Sequence, residues 1–394
     1  MTGPLEGIRV IDFGRFIAAP YCGMLLADMG ADVIRVERRE GGEDRFVGPI
    51  TGCGEGGMFL SINRNKRGMT LDLAHKAAAP VIHRLVASAD IVIVNLPVDV
   101  MERLGLDYES LRRIKENVIL VMASAFGPDG PNSNRVGFDA VAQAMSGAAA
   151  LTGFEGAPVR SIVSFEDYGT ALHAAFGAMV ALYNREKTGC GQLIDVSLLA
   201  TGVTFMTPLL AERAVTGIER RQQGNTAYYT APSDIYRVRD GWIVVPTIGG
   251  RMFNRWARLM GREDLIGDSR LSDDINRANN YSVINEVMAA WCSGYSRDEA
   301  VAALEQARLP CGPVYSLDEV LADPQVRSRG LLEYVEHAGS KQKIPVASTP
   351  VRLSLTPGTI RHPAPRTGEH TDQVLSELGY SQGEIAALRA QGVV

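Results

Sequence analysis

The side chain best placed for covalent chemistry is Asp167, in the segment Ser164–Thr170 that leads into a long stretch of helical apolar spacing. An aspartate at a helix start ordinarily acts as an N-cap and accepts hydrogen bonds from first-turn amides. The helix dipole also keeps such a carboxylate ionised, and covalent catalysis requires an ionised carboxylate. Spacing does not tell whether a substrate can reach the oxygens, so both roles stay open.

Two other patterns carry less chemical information. Gly52–Gly57 matches G-x-G-x-x-G, but no convincing strand precedes it and no clear helix follows, so a flexible loop is favoured over a dinucleotide site. His173, six residues after Asp167, is favoured as a packed or surface residue over a proton shuttle. The histidines never have HxxxH or HExxH spacing, so no metal site is predicted; they are His75, His83, His173, His337, His362 and His370.

Basic residues follow several predicted strands, at Arg38, Arg39, Arg64, Lys66, Arg67, Arg103 and Arg135. In a parallel α/β sheet, ligands bind outside the carboxyl ends of the strands, so these cations can converge on one phosphate-rich ligand. An ordinary solvated surface explains the same positions equally well. The pattern therefore leaves an anion site as one of two interpretations.

Strands and helices alternate over the first part of the chain. Continuous apolar or β-branched runs predict strands at Ile8–Phe13, Asp32–Glu37, Met69–Leu73, Ile91–Asn95 and Val118–Ala123. Helical spacing predicts helices at Ala19–Met29 and Lys76–Ala87, with a helical turn at Met101–Leu104. Continuous apolar strands separated by helices indicate a parallel sheet covered on both faces, so the predicted fold is doubly wound, Rossmann-like α/β.

The pattern of predicted helices and strands changes in the second half of the chain. A helix is predicted over Tyr168–Lys187, with Leu172, Phe176, Met179 and Leu182 on one stripe, before a strand at Gln192–Leu199. From about Arg220, β-rich segments precede helical patterns, which predicts a smaller α+β domain. The predicted segments are Tyr228–Arg239, Trp242–Pro246, Met252–Met260, Arg277–Trp291 and Arg297–Ala307, with a helical tail at Glu369–Ala390.

Composition narrows the class of protein. The chain has 394 residues with 46% hydrophobic and 22% charged residues, which is ordinary for a globular protein of two or three domains. A net charge of −5 gives no indication of nucleic-acid binding. We expect no membrane span, because no run of 18 apolar residues occurs. We expect no signal peptide, because the first residues lack its basic region and its apolar region. Five scattered cysteines without a CxxC pair are typical of a reducing cytoplasm, at Cys22, Cys53, Cys190, Cys292 and Cys311.

Several ordered segments together resemble the class III CoA transferases, the family of formyl-CoA transferase and carnitine CoA-transferase. The matching blocks are Pro4–Phe13, Gly30–Glu37, Asn65–Arg67, Arg135–Asp139 with Ala142-Gln143 and Ser146-Gly147, Gly189–Gln192 with Asp195-Val196, Pro310–Val314, and Gly368–Thr371. Each block is short, but they follow the family order from residue 4 to residue 371. The resemblance therefore covers essentially the whole chain.

The resemblance implies roles for particular residues. Asp167 takes the place of the family's catalytic aspartate, which opens the helix after a Thr-Gly block, here Thr152-Gly153. Positions that contact CoA in relatives are occupied by Arg15, Phe16, Ala18, Arg38, Leu71, Asn95, Arg103 and Arg135. Substrate-contact positions are occupied by Phe138, Asp139, Gly249 and Gly250, of which the two glycines are candidate oxyanion donors. The family needs no metal or cofactor, since the CoA thioester is itself a substrate.

Departures from the family pattern bear on the substrate and on rival functions. Ala74 replaces a nucleotide-binding lysine, Ala171 replaces a glycine, and the tetraglycine loop of formyl-CoA transferase is absent, so an oxalate/formate pair is in doubt. The main rival is an α-methylacyl-CoA racemase of the same fold. Phe138 stands where those enzymes have histidine, and phenylalanine cannot exchange a proton. A non-catalytic CoA-binding protein and a nicotinamide dehydrogenase are further alternatives.

The resemblance also predicts the organisation and the reaction. A large CoA-binding domain spans residues 1–200 and is completed by 345–394, a small domain spans 225–325, and linkers span 201–224 and 326–344. Two such chains are expected to form an interlocked homodimer in the cytoplasm. The expected reaction transfers CoA from an acyl-CoA to a carboxylic acid through an aspartyl anhydride and an aspartyl-CoA thioester. Arg15 and Arg160 point to small dicarboxylic acids.

Overall fold

The strands form three sheets in the structure, a computed structural model that describes residues 3–52 and 54–394. The first sheet is parallel, has the order β3-β2-β1-β4-β5-β6, and consists of β1 (Arg9–Asp12), β2 (Asp32–Glu37), β3 (Lys66–Thr70), β4 (Ile91–Val94), β5 (Ile119–Ser124) and β6 (Leu193–Ser197). The second sheet is antiparallel, has the order β7-β8-β9, and consists of β7 (Ser233–Val238), β8 (Gly241–Pro246) and β9 (Gly312–Pro313). The third pairs β10 (Leu332–Val335) with β11 (Ile344–Ala347).

The helices follow the strands along the chain. They are α1 (Ala18–Asp28), α2 (Gly57–Ile62), α3 (Ala79–Ser88), α4 (Val98–Leu104), α5 (Tyr108–Ile114), α6 (Asp139–Met145), α7 (Ala148–Leu151), α8 (Phe165–Thr188), α9 (Leu198–Thr216), α10 (Gly250–Leu259), α11 (Asp274–Asn279), α12 (Tyr281–Ser293), α13 (Arg297–Gln306), α14 (Leu317–Ala322), α15 (Pro324–Ser328), α16 (Thr371–Glu377) and α17 (Gln382–Ala390). Helix α9 is long and apolar enough to span a membrane by length and composition alone. The sequence analysis expected no such segment.

The chain divides into two compact units. The first contains the chain up to Ser146 together with Ile162–Thr207 and Gln325–Val394. The second consists of Gly147–Ser161 and Pro208–Pro324. Residues 201–216 of the predicted linker belong to helix α9.

The sheet of the first unit is covered on both faces. On one face, α3, α5, α16 and α17 pack against apolar residues of the strands around Ile11, Ile34 and Leu120. On the other face, α1 and α8 pack against residues around Val10 and Val121. The strand order 3-2-1-4-5-6 is that of a doubly wound sheet. The mixed α/β fold with a parallel sheet is confirmed.

Helix α8 lies on this second face with its small residues inward. The side chains that face the core are those of Ala171, Ala174, Ala178 and Ala181. Of the larger stripe predicted from the sequence, Leu172, Phe176 and Met179 point outward, and Phe176 is 72% exposed, whereas Leu182 packs against the core. Alanine lets two helices approach closely, so α8 packs tightly against α1 while most of its larger apolar side chains remain outside.

The second unit has its own core. The hairpin of β7 and β8 turns at Arg239-Asp240, one residue before the predicted Asp240-Gly241, because Gly241 already pairs with Val238. Its apolar face packs on α10, α12 and α13. The predicted helix Arg277–Trp291 is interrupted, because α11 ends at Asn279 and α12 begins at Tyr281. The largest side chain buried in this core is that of Trp256.

Candidate active site

The N-terminus of α8 is capped from another helix. Ser164, at the N-cap position, makes no capping bond through its side chain. Asp139, at the start of α6, accepts hydrogen bonds through Oδ1 from the backbone N–H of Glu166 at 2.9 Å and of Asp167 at 3.2 Å. Its other carboxylate oxygen accepts a bond from the amide of Gln143. The capping role that the sequence left open for Asp167 is therefore filled by Asp139.

The carboxylate of Asp167 is half-buried and has an unusual charge environment. It accepts no hydrogen bond from the described residues 3–52 and 54–394. Burial raises the pKa of this carboxyl to about 7, and the negative charges of Asp139 and Glu166 act in the same direction. A carboxyl with a pKa near neutrality is a typical feature of a functional site.

A cavity of about 260 Å³, here called the aspartate cavity, opens beside Asp167. Of the residues predicted to form the site, those that line it with Asp167 are Arg15, Phe16, Ala18, Asn95, Arg135 and Phe138. They follow β1, β4 and β5, at the point where the strand order reverses between β1 and β4. Ligands of doubly wound sheets bind at this switch point. Asp139, predicted to contact the substrate, is only 4% exposed and is not among the described residues that line this cavity.

The loop after β1 is held by the residue that follows β4. The backbone N–H of Arg15 donates to Asn95 Oδ1 at 2.9 Å, and Asn95 Nδ2 donates to the carbonyl oxygen of Arg15 at 2.7 Å. The next residue, Phe16, adopts a left-handed φ of 60°, which is strained for a side chain of this size. Its ring meets that of Phe138 edge to face, with centroids 5.2 Å apart. The two rings form an apolar wall of the aspartate cavity.

A larger cavity of about 600 Å³, here called the arginine cavity, shares Arg15, Leu96 and Pro97 with the aspartate cavity. The predicted residues Arg38, Leu71 and Arg103 line it. Its further lining includes Lys76 and His75 on the polar side, and Val36, Ile82, Val100 and Leu104 on the apolar side. Cations combined with an apolar wall fit a ligand that carries phosphates and an aromatic base.

Only some of the basic residues that follow strands converge on this cavity. Arg38 is half-exposed and pairs with Glu43 at 2.9 Å. Three other basic residues of the set form ion pairs elsewhere, since Arg64 pairs with Asp28, Lys66 with Asp12, and Arg67 with Asp32 and Glu377. Arg38 and Arg103 therefore stay candidates for an anion site in the arginine cavity. Arg135 lines the aspartate cavity instead.

Gly249 and Gly250 lie in the second unit, at the start of α10. Gly249 has φ +81° and donates its amide to both oxygens of Asp274, at 3.0 and 3.1 Å. That amide is therefore engaged within its own unit, which leaves the amide of Gly250 as the better donor of the pair. Their role toward the substrate stays a prediction.

The G-x-G-x-x-G segment has no strand before it in residues 38–52, and its Cys53 lies outside the described residues. Against the sequence-based expectation, helix α2 does begin at Gly57. The dinucleotide fingerprint requires a strand, a turn and a helix in succession. The segment does not have this arrangement.

Comparison with known proteins decides the family. The chain matches the model of CoA-transferase family III over residues 5–371. It belongs to this family. It is 32% identical to a succinyl-CoA–D-citramalate CoA-transferase of Chloroflexus aurantiacus, over 99% of this chain and 98% of the relative. It is 33% identical to a succinate–glutarate CoA-transferase of Agrobacterium fabrum, over 95% of this chain and 96% of the relative. A solved CAIB/BAIF family protein from Brucella suis superposes with a TM-score of 0.84, at 31% identity over 96% of this chain and 100% of that one.

The predicted family membership is confirmed, and the protein is a CoA-transferase. Within this family III CoA-transferase, the sequence analysis missed several residues of the site. Ser124, Ser133 and Asn134 line the aspartate cavity, and His75 and Lys76 line the arginine cavity. The strand end at Ser124 was a usable signal for the first group, because ligands bind beyond strand ends.

Glu166 directly precedes Asp167 and has no role predicted from the sequence. In this family III CoA-transferase its side chain is fully buried. Burial raises the pKa of its carboxyl to about 7, the bond from Ser146 acts against this rise, and the charge of Asp139 adds to it. Within residues 3–52 and 54–394, no three His, Cys, Asp or Glu side chains are arranged to hold a metal ion.

Proposed function

We propose that this enzyme transfers CoA between small dicarboxylic acids through a covalent intermediate on Asp167. The observation that carries the proposal is the position of the Asp167 carboxylate, which opens into a cavity that adjoins the cationic arginine cavity. A CoA nucleotide in the arginine cavity would lie among Arg38, Lys76 and Arg103. Its thioester would then extend past Arg15 toward the carboxylate.

The chemistry follows from a carboxylate nucleophile. Asp167 attacks the thioester carbonyl of the donor, which forms a mixed anhydride and releases the CoA thiolate. The thiolate attacks the aspartyl carbonyl, which forms an aspartyl-CoA thioester and releases the donor acid. The acceptor carboxylate then attacks this thioester, and the returning thiolate cleaves the new anhydride to give the product acyl-CoA and free Asp167. These steps consume nothing besides the two substrates.

The intermediates require a site with little water. An acyl-aspartyl anhydride hydrolyses when water reaches it, so transfer depends on excluding solvent. The edge-to-face pair of Phe16 and Phe138 supplies an apolar wall at the cavity. We propose that this pair shields the anhydride, which also gives a reason for the strained backbone at Phe16.

The proposed dicarboxylic substrates rest on two arginines. Arg15 and Arg135 both line the aspartate cavity, where a guanidinium can pair with the second carboxylate of an acyl group. The related enzymes of Chloroflexus aurantiacus and Agrobacterium fabrum are named for succinyl-CoA with D-citramalate and for succinate with glutarate. Arg160, also considered from the sequence, belongs to the second unit.

The first experiment tests the nucleophile. The enzyme is incubated with succinyl-CoA and digested, and the peptides are analysed by mass spectrometry for a CoA adduct. We expect the adduct on the peptide with Asp167, and we expect Asp167→Asn to lose both the adduct and the transfer activity. Asp298→Asn, an exposed aspartate in the first turn of α13, is the matched control. An adduct on another residue, or an active Asp167→Asn enzyme, would disprove the assignment.

The second experiment tests the substrate class. A panel of acceptors pairs each dicarboxylate with the monocarboxylate of the same chain length, and kcat/KM is measured for each. We expect the wild-type enzyme to prefer dicarboxylates, and Arg15→Gln or Arg135→Gln to reduce that preference about tenfold or more. Arg113→Gln, on the exposed side of α5, should leave it unchanged. Equal losses for both acid classes would assign the arginines to CoA binding instead.

We also propose that the enzyme is a homodimer with interlocked chains. The outward stripe of α8, formed by Leu172, Phe176, Met179 and Tyr183, leaves a large apolar area in water. Light scattering should give the mass of two chains, and Phe176→Glu should shift it toward one chain. Tagged and untagged dimers should fail to exchange subunits without unfolding if the chains are interlocked. A monomeric wild-type mass would refute the proposal.

A further inference from the structure

Glu166 is a buried acid that the reaction sequence leaves without a role. Its side chain is fully buried, directly before the proposed nucleophile Asp167. Oε1 lies 2.8 Å from Ser146 Oγ, whereas Oε2 is buried and has no hydrogen-bond partner. A carboxylate with one unpaired, desolvated oxygen is unfavourable in its ionised form.

In the part of the chain that the structure describes, no positive group offsets this burial. Helix α6 presents Asp139 and Ser146 to the side chain, and helix α8 presents the neighbouring Asp167. Helix α9 presents Gly202, where an added Cβ would stand 2.3 Å from Glu166 Oε1. Within residues 3–52 and 54–394, Glu166 forms no ion pair, and the charged groups around it are both acidic. The missing side chain at Gly202 therefore makes room for an acid that lacks a counter-ion.

The hydrogen-bond geometry fits a protonated Glu166. Ser146 Oγ lies 2.8 Å from Glu166 Oε1 and 3.3 Å from the carbonyl oxygen of Gln143. A neutral Glu166 can donate its proton to the hydroxyl oxygen, and the hydroxyl hydrogen is then available to the carbonyl. An ionised Glu166 takes the hydroxyl hydrogen for itself, so the carbonyl loses it. Oε2 is unpaired among the described residues in both states, but an unpaired buried oxygen costs less on a neutral acid than on a carboxylate. The chain of donors is complete only when the acid keeps its proton.

We propose that Glu166 is a positioning residue that competes with Asp167 for ionisation and so sets the pH at which the nucleophile becomes charged. This inference rests on the proposed role of Asp167. The two side chains are consecutive on α8, and both of their backbone amides are held by Asp139. While Glu166 keeps its proton, Asp167 can ionise beside one negative neighbour. Once Glu166 has lost its proton, Asp167 must ionise beside two.

The sign of the effect distinguishes this role from a structural one. Asp167 must be ionised to attack, so kcat/KM falls as the pH drops below its pKa. Removing the competing acid lowers that pKa and moves the acid limb of the profile to lower pH. Glu166→Gln should therefore raise kcat/KM at about pH 6 by roughly threefold, which corresponds to a shift of about half a pH unit. A structural defect would lower kcat/KM at every pH and leave the limb in place.

The test uses the purified full chain with succinyl-CoA as donor. Glu166→Gln and wild type are compared from about pH 5 to about pH 9, and Glu299→Gln on the exposed start of α13 serves as the control. A limb shifted to lower pH supports the proposal, and an unshifted limb overturns it. An active Asp167→Asn protein would instead refute the proposed nucleophile, so the two failures are distinct.

A second measurement applies even if Glu166→Gln does not fold. Infrared difference spectra of the Asp167→Asn protein are recorded as the pH is raised through neutrality. We expect a protonated-carboxyl band that disappears near neutral pH, because Glu166 gives up its proton there. If no carboxyl titrates in this range, Glu166 is not the competing acid and the proposal is overturned.

Discussion

Asp139→Ala is the most informative single change, because Asp139 links the stability of α8 with the charge of Asp167. The substitution removes one acceptor that serves the amides of Glu166 and Asp167, at 2.9 and 3.2 Å. Hydrogen bonds to a charged group contribute about 1.5–3 kcal/mol each, and loss of an N-cap costs about 1 kcal/mol. These contributions overlap, so we expect the free energy of unfolding to fall by roughly 2–4 kcal/mol.

The matched variant Asp139→Asn separates the cap from the charge. Asparagine keeps one oxygen as an acceptor, so the free energy of unfolding of the Asp139→Asn protein should fall by roughly half as much as that of the Asp139→Ala protein. It also removes a negative charge that raises the pKa of Asp167, so the acid limb of kcat/KM should move to lower pH. Urea unfolding followed by circular dichroism gives the stability, and a pH–rate profile gives the limb. Wild-type stability in Asp139→Ala, or an unshifted limb in Asp139→Asn, would refute this account.

Three further predictions concern other contacts of the first unit. Gly202→Ala should destabilise the protein by roughly 1–3 kcal/mol in urea unfolding, since its Cβ would stand 2.3 Å from a buried oxygen, whereas Gly383→Ala, with open space around it, should not. Lys66→Met should cost roughly 3–5 kcal/mol in the same assay, because Asp12 would keep an unpaired buried charge; a loss below about 1 kcal/mol would contradict this. For the wild-type enzyme, kcat/KM should fall about tenfold for each pH unit below about 7 as Asp167 is protonated, and a flat profile down to about pH 5 would contradict the raised pKa.

The central strands could be predicted closely from the sequence. Strand β2 has the predicted bounds and β4 ends one residue early. Strand β4 is a continuous β-branched run, β2 contains Val33, Ile34 and Val36, and these residues are buried. Strand β3 was predicted at Met69–Leu73 but spans Lys66–Thr70. Its first residue, Lys66, is a charged side chain whose burial depends on Asp12, 54 positions earlier. A local pattern carries no information about such a partner.

Site residues could be predicted where they occupy positions of the family resemblance. They could not be predicted where their role depends on contacts with residues distant in the sequence. Asp167 and six further residues were expected from the family resemblance, and the structure brings them together around one cavity. The cap of α8 comes from Asp139, 28 positions before Asp167, so the local N-cap rule could only offer Asp167 as a candidate and could not identify the residue that fills the role. Glu166 carries no local signal, because its burial depends on Ser146 and Gly202 on other helices.

The side chain of Asn95 forms the hydrogen bonds that one more backbone residue of β4 would form. It accepts a bond from the N–H of Arg15 and donates one to the carbonyl of Arg15, and so it fixes the turn after β1 to the end of β4. A turn held in this way has little freedom to change its conformation when a ligand binds. We therefore expect acyl groups to be selected at this wall by shape, because they would have to fit the contour of Phe16.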